Sequence, residues 1–333
     1  TMLALRFEHN QLALRDIPLP VVEDRALIRM TRAGICATDL AITRGYASFS
    51  GTIGHEFVGI VEQSPDPEWV GKRVVGNINI GCGNCRECHR GDSRHCALRQ
   101  VLGIRSYDGA FAEYLALPIR NLHLVPDALP DSIALFAEPL AAACRILEQL
   151  VLQPDQSIVV LGDGKLGQLI ARMLKANGFN PLLIGKYESK RTLAEQVGIQ
   201  TRTLNEKTVD VDLRQTIDVV IEATGNSQAF AQALELVSPC GTIVLKSTLQ
   251  GNWALKAENF VVPEITVVGS RCGRLEHSLA LLESGKIEVA SLISAEFPLA
   301  QALDAFRVAA QPGMMKVQLL GSESEPVTGD TEG

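Results

Sequence analysis

Residues 157–176 read SIVVLGDGKLGQLIARMLKA. An apolar run of strand length meets a cluster of glycines, and apolar residues at helical spacing follow. That order is strand, tight turn, helix. Within it, Gly162-Asp163-Gly164-Lys165-Leu166-Gly167 matches G-x-G-x-x-G. The motif is weak alone, but a preceding strand and a following helix are the context it requires. The first glycine makes the turn, the second lets a pyrophosphate approach the backbone, and the third lets helix pack on strand. The helix N-terminus then faces the phosphates. This stretch therefore predicts a dinucleotide-binding parallel sheet.

Working outward, the alternation continues. LLIGKYESKRTLAEQVGI repeats strand then helix, and TIDVVIEATG, GTIVLKST and ITVVGSRCG are further buried strands separated by helical segments. Strands alternating with helices mean a parallel sheet. A ribose-reading acid is expected about 20 residues past the glycine turn, at the end of the next strand. Register with the following helix puts Gly185 there, beside Lys186, with Lys190 and Arg191 following. A missing carboxylate and nearby cations suit a 2′-phosphate, so NADP is favoured over NAD, and Gly185→Asp is expected to shift preference toward NAD. The competing reading makes these cations a solvated helix start. Thr224, ending TIDVVIEAT, is counted with the cofactor-binding residues.

Before Pro130 the pattern differs. LALRFEHNQLALRDIPLP, RALIRMTRAGIC, HEFVGIVEQS and KRVVGNINI are strand-like and punctuated by Gly and Pro. DSIALFAEPLAAACRILEQLVL has helical spacing, with a break expected at Pro139. The segment after Gly273 adds a helix in HSLALLESGKI and a strand in MKVQLL. The acidic tail GSESEPVTGDTEG, residues 321–333, is expected to be disordered.

The β region carries GCGNCRECHRGDSRHC, in which Cys82, Cys85, Cys88 and Cys96 form Cys-x2-Cys-x2-Cys-x7-Cys. Four thiolates so close suit one tetrahedral zinc. A disulfide cluster needs an oxidising compartment, and the scattered Cys36, Cys144, Cys240 and Cys272 fit a reducing one. An iron–sulfur site would usually end in Cys-Pro, whereas Ala97 follows Cys96. A nucleic-acid zinc ribbon wants a basic protein, and this chain carries a formal charge of −7, although the lobe holds several arginines. With 333 residues, 46% hydrophobic and 21% charged, two domains with separate cores are expected. No apolar run approaches the ~20 residues of a membrane span, and no signal peptide is visible, so a cytoplasmic protein is expected. The acidic balance argues against nucleic acid and anionic membranes as partners.

Two further segments hold soft ligands: Gly34-Ile35-Cys36-Ala37-Thr38-Asp39 and Gly54-His55-Glu56-Phe57-Val58-Gly59. A lone Cys or His is usually a core residue. Together with the lobe, AEPLAAA, VVLGDGKLG and PGMMKVQL, these motifs give a sequence that resembles the zinc-dependent medium-chain dehydrogenase/reductase family, up to about Leu320.

That resemblance implies an α/β chain: a GroES-like, mostly β catalytic domain (residues 1–140 and 274–320, with the zinc lobe at 81–97) and an inserted Rossmann domain (141–273). It implies a catalytic zinc on Cys36 and His55, with Glu138 as third ligand and Glu56 as alternate ligand or neighbour. One thiolate, one imidazole and one carboxylate leave a tetrahedral zinc one open position. Thr38 matches the hydroxyl that touches the substrate oxygen, and Asp39 the acid that orients His55. Lys316 matches a cation that can take the cofactor's pyrophosphate charge. Ala41 stands where many members continue a proton relay with His, and Ala37 where some place Arg. Tyr46, Phe49 and Asn77-Ile78-Asn79 are candidate cleft residues, although the asparagines also suit a loop cap. The implied function is hydride transfer between a secondary alcohol or polyol, or its carbonyl, and NAD(P), in a homodimer or homotetramer. The alternatives are a zinc-free enone or quinone reductase of the same superfamily, and a catalytically silent nucleotide-binding protein.

Overall fold

The computed structural model describes residues 1–205, 208–226, 228–248 and 256–322. The acidic tail, apart from its first residues, lies outside them. Contacts divide the chain into Thr1–Glu138 with Ile293–Gly333, and Pro139–Leu292.

Among the described residues, the second unit is built on six parallel strands. Their order across the sheet is Gln200–Thr203, Leu182–Gly185, Ile158–Leu161, Ile217–Glu222, Val237–Leu245, Thr266–Gly269. The chain thus runs outward from Ile158–Leu161 in one direction, returns, and continues in the other. This is the doubly wound order, and its switch point lies between the carboxyl ends of Ile158–Leu161 and Ile217–Glu222. The predicted turn, Gly162 to Gly167, sits there and opens the helix Lys165–Ala176. Val159, Leu161, Ile184, Val220, Phe230 and Ile243 fill a core on these strands. Burial of every residue in Ile158–Leu161 explains why that run shows no alternation.

In the first unit, strand Ala26–Ile35 is central. It pairs antiparallel with Glu56–Gln63, with Tyr114–Leu117 and with Lys316–Leu320. Lys316–Leu320 in turn runs parallel to Ile293–Pro298. The carboxyl-terminal segment therefore completes a sheet begun near the amino terminus. A second sheet holds the hairpin Met2–Glu8 and Gln11–Ile17 with Gly51–Thr52.

Two details differ from the sequence reading. Pro139 breaks nothing: it lies in the first turn of helix Ala137–Gln149, where backbone N–H groups have no helical partner, so the ring costs no hydrogen bond. The interruption falls earlier, after Asp131–Ala134. Past Gly273, where the second junction was expected, the chain stays with the second unit through helix Leu275–Glu283. The Arg274 N–H donates to Glu148 Oε1 at 2.9 Å, and His277 Nδ1 lies 3.0 Å from the same oxygen. A Cβ on Gly273 would meet the Arg145 nitrogen at 3.1 Å, so this residue is pressed against helix Ala137–Gln149.

Candidate functional site

Cys36 follows strand Ala26–Ile35 and caps the short helix Ala37–Ile42. The cap is closed by Asp39, whose Oδ2 accepts the Cys36 N–H at 2.8 Å. The other oxygen, Oδ1, lies 3.1 Å from His55 Nδ1. One fully buried carboxylate thus fixes both the thiol-bearing backbone and the imidazole. A carboxylate on Nδ1 leaves Nε2 as the free lone pair, the usual way a ligating histidine is oriented. Burial opposes a charge on His55, but the Asp39 carboxylate, followed by Cys36, outweighs it and raises the imidazole well above its ordinary range, so a metal at Nε2 would displace a proton there.

His55 follows Gly54, whose φ of +99° lies in the left-handed region. A Cβ there would also lie 2.6 Å from Phe111 Cγ, so glycine is needed twice over. Glu56 comes next and is fully buried. Its Oε2 pairs with Lys316 Nζ, while Oε1 is buried with no hydrogen-bond partner among the described residues. Ligand atoms of Cys36, His55 and Glu56 lie within 4.8 Å of one another. A thiol, an imidazole and a carboxylate with an unpartnered buried oxygen are a donor set suited to zinc. Thr38 Oγ1 is 3.8 Å from Cys36 Sγ.

Glu138, the expected third ligand, does not join this converging set. Burial raises its carboxyl to about 7; the charge on His55 opposes the rise and Glu56 adds to it. Glu138 therefore stays within electrostatic reach of the same groups. Lys316, expected to take pyrophosphate charge, is 1% exposed, and its ammonium is paired to Glu56. The Asn77-Ile78-Asn79 stretch is a loop cap. Asn77 Oδ1 accepts the Asn79 N–H at 2.9 Å, and Asn121 Nδ2 donates to the Asn77 and Asn79 carbonyls. Tyr46 is half-buried and Phe49 buried.

Cys82, Cys85, Cys88 and Cys96 form the second converging set, again with ligand atoms within 4.8 Å of one another. Gly83 and Gly91 take left-handed φ of +82° and +73°, which allows the tight wrap. The Asn84 N–H, with Cys96, lowers the Cys82 thiol to about 7, whereas burial raises Cys88 to about 11. Four sulfurs and no open side are the composition of a closed structural zinc site.

In the second unit, a Cβ on Gly164 would meet nothing within 4 Å, so the turn presents open backbone where a pyrophosphate is expected. Gly162 takes φ +110° and lies against the Ala223 carbonyl, across the switch point. Lys165 and Leu166 begin the helix and are partly exposed. Thr224 follows strand Ile217–Glu222; its N–H and its hydroxyl each donate to Glu222 Oε1 at 2.7 Å. Lys186 is exposed, and its Nζ lies 5.8 Å from the Tyr187 ring centroid; that of Lys190 lies 4.8 Å away. The expected effect of Gly185→Asp meets a steric objection, since a Cβ on Gly185 would lie 2.6 Å from Asp163 Oδ2. Sequence reasoning passed over Asp163 as the variable position of the motif; only the fold brings it to residue 185.

A doubly wound nucleotide-binding sheet, together with a β unit that gathers Cys36, His55 and Glu56, defines a dehydrogenase of the zinc type. Comparison with known proteins agrees. Residues 22–127 match the alcohol dehydrogenase GroES-like domain, and residues 166–284 the zinc-binding dehydrogenase domain. The chain is 30% identical to an L-threonine 3-dehydrogenase of Coxiella burnetii, over 86% of this chain and 88% of that one. It is 28% identical to a D-altritol 5-dehydrogenase of Agrobacterium fabrum, over 95% and 99%. A zinc-binding dehydrogenase of Sinorhizobium meliloti, solved with NADP bound, superposes with a TM-score of 0.87 at 28% identity, over 96% and 99%. The chain belongs to the zinc-dependent medium-chain dehydrogenase/reductase family. It is an oxidoreductase that uses a nicotinamide dinucleotide.

Proposed function

We propose that the chain transfers hydride between the secondary alcohol of a hydroxylated, polyol-type substrate and NADP, with NAD as the less favoured cofactor. The observation that carries this reading is the convergence of Cys36, His55 and Glu56, anchored by Asp39. Zinc bound there would supply Lewis acidity to the substrate oxygen, and the dinucleotide would supply the hydride acceptor. The chain does the rest. Asp39 fixes His55 so that Nε2 faces the metal position. Thr38 accepts the substrate hydroxyl proton and passes it outward; Ala41 leaves that relay without a histidine, so it runs through ribose and water. Lys316 balances Glu56, which lowers the cost of keeping that carboxylate buried and charged.

The four-thiol lobe holds a second, structural zinc, by its closed sulfur set. Lys186 and Lys190, which follow Gly185, support NADP. The polyol class is supported by the names of relatives that are dehydrogenases of D-altritol and L-galactonate. The scattered Cys36, Cys144, Cys240 and Cys272 fit a reducing compartment, consistent with a cytoplasmic enzyme. A homodimer or homotetramer is the expected assembly.

The test is Cys36→Ala or His55→Ala, assayed against a panel of polyols, sugars and amino alcohols with both cofactors. Turnover is expected to vanish while dinucleotide binding stays. Near-native activity in either variant would sink the assignment.

A further inference from the structure

Strand Leu182–Gly185 ends without a side chain, yet a carboxylate stands there. It belongs to Asp163, the residue between the first two glycines of the turn, which is 6% exposed. Its Oδ2 accepts the Tyr187 backbone N–H at 2.7 Å. A Cβ built on Gly185 would lie 2.6 Å from that oxygen and 2.7 Å from Asp163 Cγ. Asp163 therefore fills the volume in which a side chain at 185 would begin. The arrangement is braced on both sides. The Gly162 N–H donates to the Ile184 carbonyl at 2.9 Å, and Arg191 Nη1 donates to the Gly185 carbonyl at 3.2 Å. The ammonium groups of Lys186 and Lys190 flank the Tyr187 ring next to it.

We infer that Asp163 is the ribose-reading acid of this chain, delivered from the glycine turn instead of from the strand end, and that it sets the margin between NAD and NADP. The inference rests on the dinucleotide reading of this turn given above. A carboxylate has more acceptor positions than the one that Tyr187 uses. Among the described residues the Tyr187 N–H is its only donor, which leaves Oδ1 for a ribose hydroxyl. A hydroxyl donating to a carboxylate makes a charge-assisted bond, whereas a 2′-phosphate brings like charge against it. Lys186 and Lys190 act in the opposite sense. The site thus holds an acid for the free hydroxyls and cations for the phosphate, and it accepts both dinucleotides.

Glycine at 185 follows from this device. Any Cβ there collides with Asp163, so an acid at 185 and Asp163 exclude each other.

Direct titration of NADH and NADPH, followed by nucleotide fluorescence, reads the proposal without substrate or turnover. The unmodified protein is expected to bind the two within about tenfold of each other. Asp163→Asn keeps an oxygen for the Tyr187 N–H but removes the charge. It should weaken NADH about tenfold and leave NADPH unchanged or tighter. Lys186→Ala should do the reverse. Equal weakening of both nucleotides by Asp163→Asn would reduce Asp163 to a structural role and overturn the inference, as would no change. Should Asp163→Asn fail to fold, the transplant Asp163→Gly with Gly185→Asp is decisive. It should favour NADH, while Gly185→Asp alone binds both poorly; an unaltered nucleotide ratio in the transplant would refute the coupling. A protein that binds both dinucleotides yet oxidises no alcohol would sink the proposed function and leave this inference standing.

Discussion

Gly34 lacks a side chain because Glu56 needs the room. A Cβ there would run into Glu56 Oε2 and lie 3.3 Å from Lys316 Cδ and Leu135 Cδ2. Both charged groups are buried, so neither can swing into water to make space. Gly34→Ala should cost about 1–3 kcal/mol, the usual range for an overpacked core. Chemical denaturation would check it, and a stability equal to the unmodified protein would show that the Glu56–Lys316 pair is free to shift. Asp39 is the other residue on which the site turns. Asp39→Asn keeps the volume but removes the charge that orients His55. Zinc affinity or turnover should drop about 10- to 100-fold, as when the hydrogen-bonding partner of a metal-bound histidine is lost. Metal content and kcat of the purified variant test it; unchanged values would mean that packing alone holds the ring.

At the scale of elements, Glu148 joins helix Ala137–Gln149 to the segment that begins helix Leu275–Glu283. Burial pushes its carboxyl up, but the Arg274 N–H, Arg145 and His277 outweigh it and hold it below the usual carboxylate range. A depressed pKa in the fold adds stability above the unfolded value near 4.5, and that stability fades as pH falls through the folded value. Glu148→Gln should therefore cost about 1–2 kcal/mol at neutral pH, discounted for the exposure of His277, and little in acid. Melting curves from pH 7 down to 3 would show the two proteins converging; a constant gap would contradict the ionic origin. The cysteine lobe is the second element with its own chemistry. Cys88→Ser opens a closed sulfur set that lies on short turns with little core of its own. The variant should lose one zinc and unfold more readily, and affect turnover less than Cys36→Ala does. A lobe variant as inactive as Cys36→Ala would place the lobe in the chemistry.

For the whole molecule, two zinc ions per chain are expected, one at each converging set. Elemental analysis of protein purified without chelators counts them, and a value of one or none would defeat the two-site reading. The contact boundaries make a further prediction. Residues 139–292 hold a complete parallel sheet with its own core, so that fragment should fold cooperatively and bind a dinucleotide. The shorter fragment 141–273 cuts away helix Leu275–Glu283 and deprives Glu148 of Arg274 and His277, so it should be less stable. Equal stability of the two fragments would restore the earlier boundary at Gly273.

Much of this was determined by the sequence. Strand, glycine turn and helix around Gly162 are local in the chain, and so are the spacing of the four lobe cysteines and the Cys36 and His55 motifs. Each needs only short-range geometry, which residue type and spacing encode directly. What the sequence left open were relations between distant residues. Lys316 reads as a free cation until its strand pairs beside Gly34 and brings it to Glu56, 260 positions away. Glu138 and Glu56 both read as ligands, and only the fold shows Glu56 among the converging atoms with Glu138 in electrostatic reach beside them. Asp163 reads as a variable letter in a motif until strand Leu182–Gly185 lies beside Ile158–Leu161 and sets it against Gly185. For Lys316 and Asp163 a charged side chain met its neighbour through sheet pairing, and pairing is fixed by the packing of whole elements. Local spacing carries no record of that, so only the tertiary structure decided it.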